Sequence, residues 1–286
     1  MDVGQILANG IVLGALYACI AVGFSLVWGV LNVINMLHGS FIILGGYLTY
    51  FAWSYTGINP VVFLPFVALL LYVLGFATQY IFINKVVSAP VLTTLTLTFG
   101  LDMILYNVMT VFFTATPRRI TLDLGSIDLL GVILPVDRVL GMALALILTG
   151  LLYAVMRSSK IGRAIVAVRM DRQAAELMGI RVNRIYAITF GIGALMAGAA
   201  GAVFAMVFPV TTNLTGAFLG KAFVICVIGG LGSVPGALVG GLALGIIESF
   251  SGYVLGPQHA ITVGFVLMLI LLVVRPTGLV GVKGYE

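Results

Sequence analysis

The stretch Lys160–Arg184, KIGRAIVAVRMDRQAAELMGIRVNR, is the one long polar passage in a chain that is otherwise strongly apolar. Half of the chain's 14 Lys and Arg residues lie in or beside it. They are Arg157, Lys160, Arg163, Arg169, Arg172, Arg181 and Arg184. Such a concentration of positive charge between apolar runs is typical of a cytoplasmic loop in a membrane protein. The sequence therefore predicts a cytoplasmic loop over residues 157–184.

The composition on either side of this loop indicates a membrane protein. The 286 residues are 62% apolar and 8% charged, whereas soluble domains carry about 25% charged residues. Apolar runs long enough to cross the hydrocarbon layer as helices recur along the whole sequence. We therefore expect an all-α polytopic membrane protein. The net charge of +5 does not indicate a nucleic-acid partner, because the bases are concentrated in one loop. Cys19 and Cys226 lie inside apolar runs and are expected to be packing residues.

The apolar runs predict about eight or nine transmembrane helices in a single domain of residues 1–286. Residues 116–138 are rich in balanced charge and turn residues, which predicts an external loop with room for a short hairpin. Residues 209–220 are expected to be a second external connection. The expected spans cover residues 5–30, a segment ending near 55, 60–82, 91–115, 139–156, 185–208, 221–231, 236–250 and 259–274.

The distribution of basic residues predicts the orientation of the chain. With the 157–184 loop inside, the inner side also holds Lys85, Arg275 and Lys283. The outer side then holds four bases, Arg118, Arg119, Arg138 and Lys221. This asymmetry favours an external N-terminus and a cytoplasmic C-terminus.

A glycine-rich centre at residues 229–236 interrupts one apolar run. It predicts a broken or re-entrant pair of helices, because broken backbone at membrane depth is tolerated only where protein or a cavity satisfies it. Gly232, Gly236 and Gly240 recur every four residues. This spacing favours either static close packing of helices or a face that slides during gating.

Five polar residues inside or near the spans are candidates for a transport pathway. Asn32, Asn35 and His38 lie near a chain reversal, where hydrogen bonding to irregular backbone is the alternative role. Asp102 is expected to be paired internally or to face a cavity. Lys221 is considered as its partner. Glu248 is expected to face the cavity or to anchor the helix at the membrane interface.

The sequence contains no motif for catalysis or nucleotide binding. His38 and His259 are not part of a zinc motif, and Gly216–Ala222 lacks the length and the Ser or Thr of a phosphate-binding loop. No metal site or cofactor is expected in this chain. If transport uses ATP, then another subunit must bind the ATP and Mg²⁺.

The basic loop itself has helix-forming residues over 163–178. Ala167, Ala174 and Met178 are expected on one helix face, together with Met170 or Asp171. Asp171 is a suitable N-cap for a short helix that Gly179 closes in the left-handed conformation. A partner-docking helix and a helix lying in the membrane interface without a partner both fit these residues.

Within the loop, Gln173–Gly179, QAAELMG, resembles the coupling motif of ABC importer permeases, with Gln in place of its leading Glu. The usual Ile-x-Leu-Pro continuation is absent, as expected in the branch that contains the branched-chain amino acid permeases. Three further stretches resemble that branch, and the likeness is closest to its LivH type. They are Asn32–Gly39 (NVINMLHG), Val227–Gly236 (VIGGLGSVPG) and Arg275–Gly281 (RPTGLVG).

The resemblance implies a non-catalytic permease subunit of an ATP-driven importer in the cytoplasmic (inner) membrane. Its partners would be a second permease subunit, either LivM-like or a copy of itself, two ABC ATPase subunits and a substrate-binding protein. The substrate would be a branched-chain or related amino acid. The implied coupling residues are Arg163, Ala167, Asp171, Ala174, Ala175 and Gly179.

Two other functions stay open at this point. Relatives of the same family transport urea, amides or aromatic acids. An ion-coupled secondary transporter would use Asp102 and Glu248 as its coupling sites.

Overall fold

The computed structural model describes residues 3–122, 124–129, 131–275 and 277–280. Asp123, Pro276, Gly281 and Lys283 lie outside the described residues, as does the C-terminal end whose side was predicted. The described residues form eleven α-helices and one antiparallel hairpin. The helices are α1 Val3–Leu31, α2 Leu37–Thr56, α3 Leu64–Ile81, α4 Val91–Phe113, α5 Val136–Ser158, α6 Lys160–Met170, α7 Arg172–Leu177, α8 Val182–Val207, α9 Thr215–Gly229, α10 Val234–Val254 and α11 Pro257–Val274. The hairpin strands are β1 Ser126–Leu129 and β2 Val132–Pro135, and short 3₁₀ turns cover Pro60–Phe63, Ile83–Lys85 and Thr212–Leu214.

The expected helical membrane architecture is confirmed. Among the described residues, eight helical segments are long and apolar enough to cross a membrane. They include α9 with its preceding turn, Thr212–Gly229. Helix α2 has 20 residues but is not among the eight. The helix expected over residues 221–231 begins earlier, at Thr215. Lys221 therefore lies inside a helix, and its assignment to an external region was wrong.

Helices α1 and α8 form the centre of the bundle. They cross near Gly23 and Gly193, where a Cβ added to Gly23 would lie 2.7 Å from the Gly193 carbonyl oxygen. Nearly every residue in the second half of each helix is buried. Their burial shows that both helices are enclosed mainly by other helices, and both are apolar all round, as buried helices are.

The chain turns back into the bundle after α1. Asn32 ends this helix with a positive φ of 52°, and residues 32–36 then run back along it. Helix α2 begins at the level of Ile20, because a ring nitrogen of His38, Nε2, lies 2.8 Å from the Ile20 carbonyl oxygen. Since an α-helix rises about 1.5 Å per residue, this level is roughly 16 Å from the end of α1. Helix α2 thus starts deep in the bundle.

The chain makes a second reversal of the same kind after α8. Residues 208–214 turn back from the end of α8, and Val210 pairs with Arg118 on the way. Helix α9 then begins beside the first turn of α2, where a Cβ added to Gly39 would overlap the Thr215 carbonyl oxygen. The two helix N-termini therefore meet deep inside the bundle.

These two reversals belong to an inverted repeat. Helices α1 and α8 run in opposite directions, and α2 packs on α8 as α9 packs on α1. The surrounding helices correspond as well, because α10 packs on α1 and α3 packs on α8. A short sequence pattern repeats with the structure: Val33, Leu37, Gly39 and Phe41 match Val210, Leu214, Gly216 and Phe218. This repeat was not predicted from the sequence.

The hairpin and the basic loop lie at opposite ends of the bundle. At one end, Gln5 of α1 bonds to the backbone of Ile133 in the hairpin, with distances of 2.9 Å in both directions. At the other end, Gly29 of α1 packs against Gly232, and Arg169 donates a 2.8 Å hydrogen bond to the Gly232 carbonyl. The hairpin lies within the region predicted as a loop, although α5 begins slightly earlier than expected, at Val136.

Candidate functional site

The basic loop forms two short helices rather than one. The backbone of Asp171 is extended, with φ −154° and ψ 110°, so it ends α6 and begins α7. Its carboxylate accepts a 3.0 Å hydrogen bond from Ala174 N, which is the predicted N-cap. The single helical face expected over residues 163–178 was wrong, because this cap breaks the helix in the middle.

Gly179 ends α7 as predicted. Its φ of 82° lies in the left-handed region, and Ile180 N donates a 3.0 Å hydrogen bond to the Ala175 carbonyl. This bond pattern is a Schellman cap, which satisfies carbonyl groups at the end of a helix. The QAAELMG stretch is therefore a capped helical turn with a defined shape.

The surface of this turn is apolar and open. Leu177 is 89% exposed and Met178 is 83% exposed, although both lie in a polar loop outside the bundle. Arg163, Ala174 and Gly179 are also exposed, and Ala167 is half-buried. Ala175 differs from these coupling candidates because it is buried and holds α7 against the bundle. We call the exposed surface of Ala174, Leu177, Met178 and Gly179 the coupling surface.

The pathway candidates near the first reversal have different environments. Asn32 is exposed and has a left-handed backbone, a conformation that Asn tolerates better than most residues. His38 is buried and hydrogen-bonded to Ile20. Asn35 is fully buried, yet neither atom of its side-chain amide has a hydrogen-bond partner among the described residues. The expectation that Asn35 would bond to irregular backbone was therefore wrong.

Asp102 lies beside the start of α2. It accepts a 2.5 Å hydrogen bond from the hydroxyl of Ser40. One turn before it on α4, Thr98 donates a 2.9 Å bond to the Ile34 carbonyl in the first reversal. Asp102 is thus paired internally, but its partner is Ser40 and not Lys221.

Glu248 is part of a buried polar triad. Its Oε2 atom accepts a 2.6 Å hydrogen bond from the hydroxyl of Tyr17 and lies 2.9 Å from Lys221 Nζ. Lys221 also contacts the Tyr17 hydroxyl and lies over the Tyr17 ring. The triad joins α1, α9 and α10 inside the membrane. Tyr17 was not identified from the sequence, and Lys221 was considered only as a partner of Asp102, although a lysine within the apolar stretch 215–229 was a detectable signal.

The glycines around the broken helix pair have two packing roles. Gly236 and Gly240 lie against Gly229 and Ile225 of α9, which allows α9 and α10 to approach closely. Gly232 lies in the turn between these helices with φ 77° and contacts Gly29. Gly241 and Gly245 pack against α1 instead. The close-packing interpretation of these glycines fits every one of these contacts.

The described part of the chain contains no candidate cluster of metal ligands. No three His, Cys, Asp or Glu side chains there are grouped as a metal site requires.

Together, the helical bundle with two deep reversals, the polar groups inside it and the capped apolar turn outside it define a polytopic helical membrane protein. The family model for the branched-chain amino acid transport system permease component matches residues 6–274. The chain therefore belongs to this family of ABC-type, non-catalytic membrane components.

Individual relatives match almost the full length of the chain. It is 32% identical to the high-affinity branched-chain amino acid transport system permease protein BraD of Pseudomonas aeruginosa, over 97% of this chain and 95% of the relative. The LivH protein of Escherichia coli K12 has the same identity and coverage. A probable LivH protein of Methanocaldococcus jannaschii is 25% identical over 98% of this chain and 94% of its own length. No solved structure matches the chain.

Proposed function

We propose that this protein is the transmembrane subunit of an ATP-driven importer for branched-chain or related amino acids in the cytoplasmic membrane. The observation that carries this proposal is the family match across residues 6–274. The relatives that support the substrate class are named as branched-chain amino acid permeases and match 97% of this chain.

Permeases of ABC systems work with ATPase subunits and a binding protein. In the proposed assembly, a second permease subunit, LivM-like or a copy of this chain, completes the pathway. Two ATPase subunits hold ATP and Mg²⁺, and a substrate-binding protein delivers the amino acid from outside. The coupling surface supports this arrangement, because apolar side chains as exposed as Leu177 and Met178 mark a protein contact when they are clustered.

The contacts of α6 and α7 supply a route from the ATPase subunits to the spans. Arg169 of α6 binds the Gly232 carbonyl in the turn between α9 and α10. Gly232 in turn packs against Gly29 at the end of α1. A displacement of the coupling surface would therefore reach α1, α9 and α10 together, as rigid-body alternating access requires.

The proposed orientation places the basic loop in the cytoplasm and the hairpin outside. Its support is the charge asymmetry, since seven of the 14 basic residues lie in residues 157–184. The N-terminus of α1 lies at the hairpin end of the bundle and would be external.

The coupling assignment is tested by Leu177→Asp, with Leu177→Met as the matched control. We expect Leu177→Asp to lower ATP-driven leucine uptake by about tenfold or more, since a charge replaces an apolar contact at an interface. The ATPase subunits should also fail to co-purify with this variant, whereas Leu177→Met should behave as the wild type. Normal uptake and co-purification in Leu177→Asp would contradict the assignment.

The same reconstituted system separates the alternative functions. Uptake by this chain alone in liposomes, driven by an imposed ion gradient and without ATP, would instead favour an ion-coupled transporter. ATP-driven uptake of urea, an amide or an aromatic acid, with no uptake of leucine, isoleucine or valine, would retain the coupling mechanism and replace the substrate class.

A further inference from the structure

An open cavity of about 750 Å³ lies at the basic end of the bundle, between the last turns of α3, the end of α7 and the start of α8. Its lining includes the rings of Phe76 and Tyr80 from α3, the carboxylate of Glu176 from α7, and Arg181 and Arg184 at the start of α8. Ligand sites in proteins are typically about 300–1,000 Å³. The cavity is therefore large enough to hold a ligand, and none of the pathway candidates lines it.

The cavity lies at the boundary of the membrane. The span that contains α3 ends at Lys85, and the span formed by α8 begins at Val182. Arg181 and Arg184 therefore lie at the start of one span, and the exposed Tyr80 lies close to the end of another. Tyr is enriched at this boundary, and Arg side chains extend to it from helix ends. The polar wall of the cavity is thus level with the headgroups of the lipids.

The cavity has a surplus of positive charge. Neither Arg181 nor Arg184 forms an ion pair with a carboxylate in the part of the chain that the structure describes. Glu176 supplies the carboxylate in the lining, and its Oε1 atom lies 3.4 Å from Nε of Arg172. Two exposed guanidinium groups therefore remain for an anionic group. Guanidinium binds phosphate through pairs of charge-assisted hydrogen bonds, so a phosphate fits this wall.

The α3 wall of the cavity continues into the membrane as an apolar stripe. Phe76 and Tyr80 stack with their ring centroids 6.0 Å apart. Phe66, Leu69 and Val73 precede them on the same helix face, at spacings of three and four residues, and each is more than half exposed. A soluble anion does not contact such a stripe, whereas a phospholipid carries acyl chains next to its phosphate. The cavity and the stripe together therefore match both parts of a phospholipid.

We propose that this cavity binds an anionic phospholipid from the membrane leaflet on the side of the basic loop. The phosphate lies between the guanidinium groups of Arg181 and Arg184, and the acyl chains lie along the apolar stripe of α3. Basic pockets between transmembrane helices bind anionic headgroups in this way. The proposal requires only that the chain spans a membrane, so it does not depend on the transported substrate or on the ATPase subunits.

Two double variants with the same change of charge test the two arginines. Arg181→Gln/Arg184→Gln removes both phosphate contacts. Arg157→Gln/Lys160→Gln is the matched control, because it removes two exposed positive charges of the same loop that do not line the cavity. Native mass spectrometry of the purified full-length chain in detergent measures the binding of added phosphatidylglycerol. Thermal midpoints without lipid should be equal in all three proteins, since the four replaced side chains are exposed.

We expect the wild type and the control to hold one phosphatidylglycerol per chain with similar affinity. Arg181→Gln/Arg184→Gln should bind it about tenfold or more weakly, because charge-assisted hydrogen bonds to the phosphate are lost. Equal binding by all three proteins would overturn the proposal. Equal weakening in both double variants would also overturn it, because the lipid would then respond to the net charge of the loop and not to this cavity.

Other probes of the wild-type chain test the class of ligand, and they apply even if the double variant does not fold. Inorganic phosphate represents a free anion, and phosphatidylethanolamine represents a headgroup without net charge. We expect both to bind at least tenfold more weakly than phosphatidylglycerol, since the first lacks acyl chains and the second lacks the negative charge. Binding of either probe as tightly as phosphatidylglycerol would refute an anionic lipid site. Unchanged phosphatidylglycerol binding by Arg181→Gln/Arg184→Gln, together with loss of co-purifying ATPase subunits, would assign the arginines to a protein contact instead.

Discussion

At the scale of single residues, a few backbone positions determine where helices begin and end. Asn32 has φ 52° and its N–H donates a 2.9 Å hydrogen bond to the Trp28 carbonyl, so it ends α1 and starts the first reversal. Asp171 and Gly179 determine the limits of α7 in the same way. These residues act through the backbone conformation that they adopt more than through side-chain contacts with other helices.

The conformation of Asn32 leads to a stability prediction. Asn32→Val should reduce the free energy of unfolding by about 1–2 kcal/mol, because a β-branched residue is strained in the left-handed region. Asn32→Gly is the matched control and should be nearly neutral, since Gly adopts positive φ without strain. Thermal denaturation of the purified variants in detergent measures the difference. Equal midpoints for the two variants would show that φ at this position is not limiting.

At the scale of helices, close helix–helix contacts through glycines, here called glycine seams, hold the bundle together. Added Cβ atoms at Gly10 and Gly14 of α1 would lie 2.8 and 2.7 Å from Cα atoms of α10. Gly75 and Gly198 have the same role between α3 and α8. The lipid offers no hydrophobic driving force between helices, so this close backbone approach provides the packing.

A substitution in one seam should therefore be far more damaging than one outside it. Gly245→Leu should destabilise the protein by about 1–3 kcal/mol or more, because its side chain would force α10 away from α1. Gly150→Ala in α5 has open space around the added Cβ, and we expect no loss of stability there, since Ala favours helix over Gly. Thermal midpoints and the yield of folded protein compare the two. A Gly245→Leu protein as stable as Gly150→Ala would exclude a structural role for the seam.

Much of this arrangement was predictable from the sequence at the scale of helices. The spans, the break near residues 229–236, the cap at Asp171 and the closing Gly179 follow from apolar length and local residue preferences. The pairing of Lys221 with Glu248 was not predictable, because it depends on how α9 and α10 pack. The depth at which α2 begins was also not predictable, because an apolar sequence does not indicate that the chain runs back along α1.

At the scale of the whole molecule, the inverted repeat places two helix N-termini together deep in the bundle. Asn35 precedes α2 and Thr212 precedes α9 at equivalent positions of the repeat. Both residues are fully buried. Neither the side-chain amide of Asn35 nor the hydroxyl of Thr212 has a hydrogen-bond partner among the described residues. Inverted repeats of this kind allow two halves of a transporter to exchange conformations about a common centre. The connection between the halves contains the hairpin, α5 and the proposed coupling surface.

The hairpin contacts the N-terminal end of α1 and the basic loop lies at its C-terminal end, so we expect them on opposite sides of the membrane, which leads to a topology prediction. Cys19 and Cys226 are buried, so their replacement by Ala should leave a folded protein without reactive thiols. In that background, Ser126→Cys in the hairpin should react with a membrane-impermeant thiol reagent added to intact cells with a permeable outer envelope. Lys160→Cys at the start of α6 should react only after the cytoplasmic membrane is opened, because the proposed orientation places the basic loop in the cytoplasm. Labelling of both cysteines from the same side would contradict the separation of the two ends. Labelling of Lys160→Cys alone in intact cells would keep that separation and reverse the orientation, and the coupling surface could then not meet a cytoplasmic ATPase.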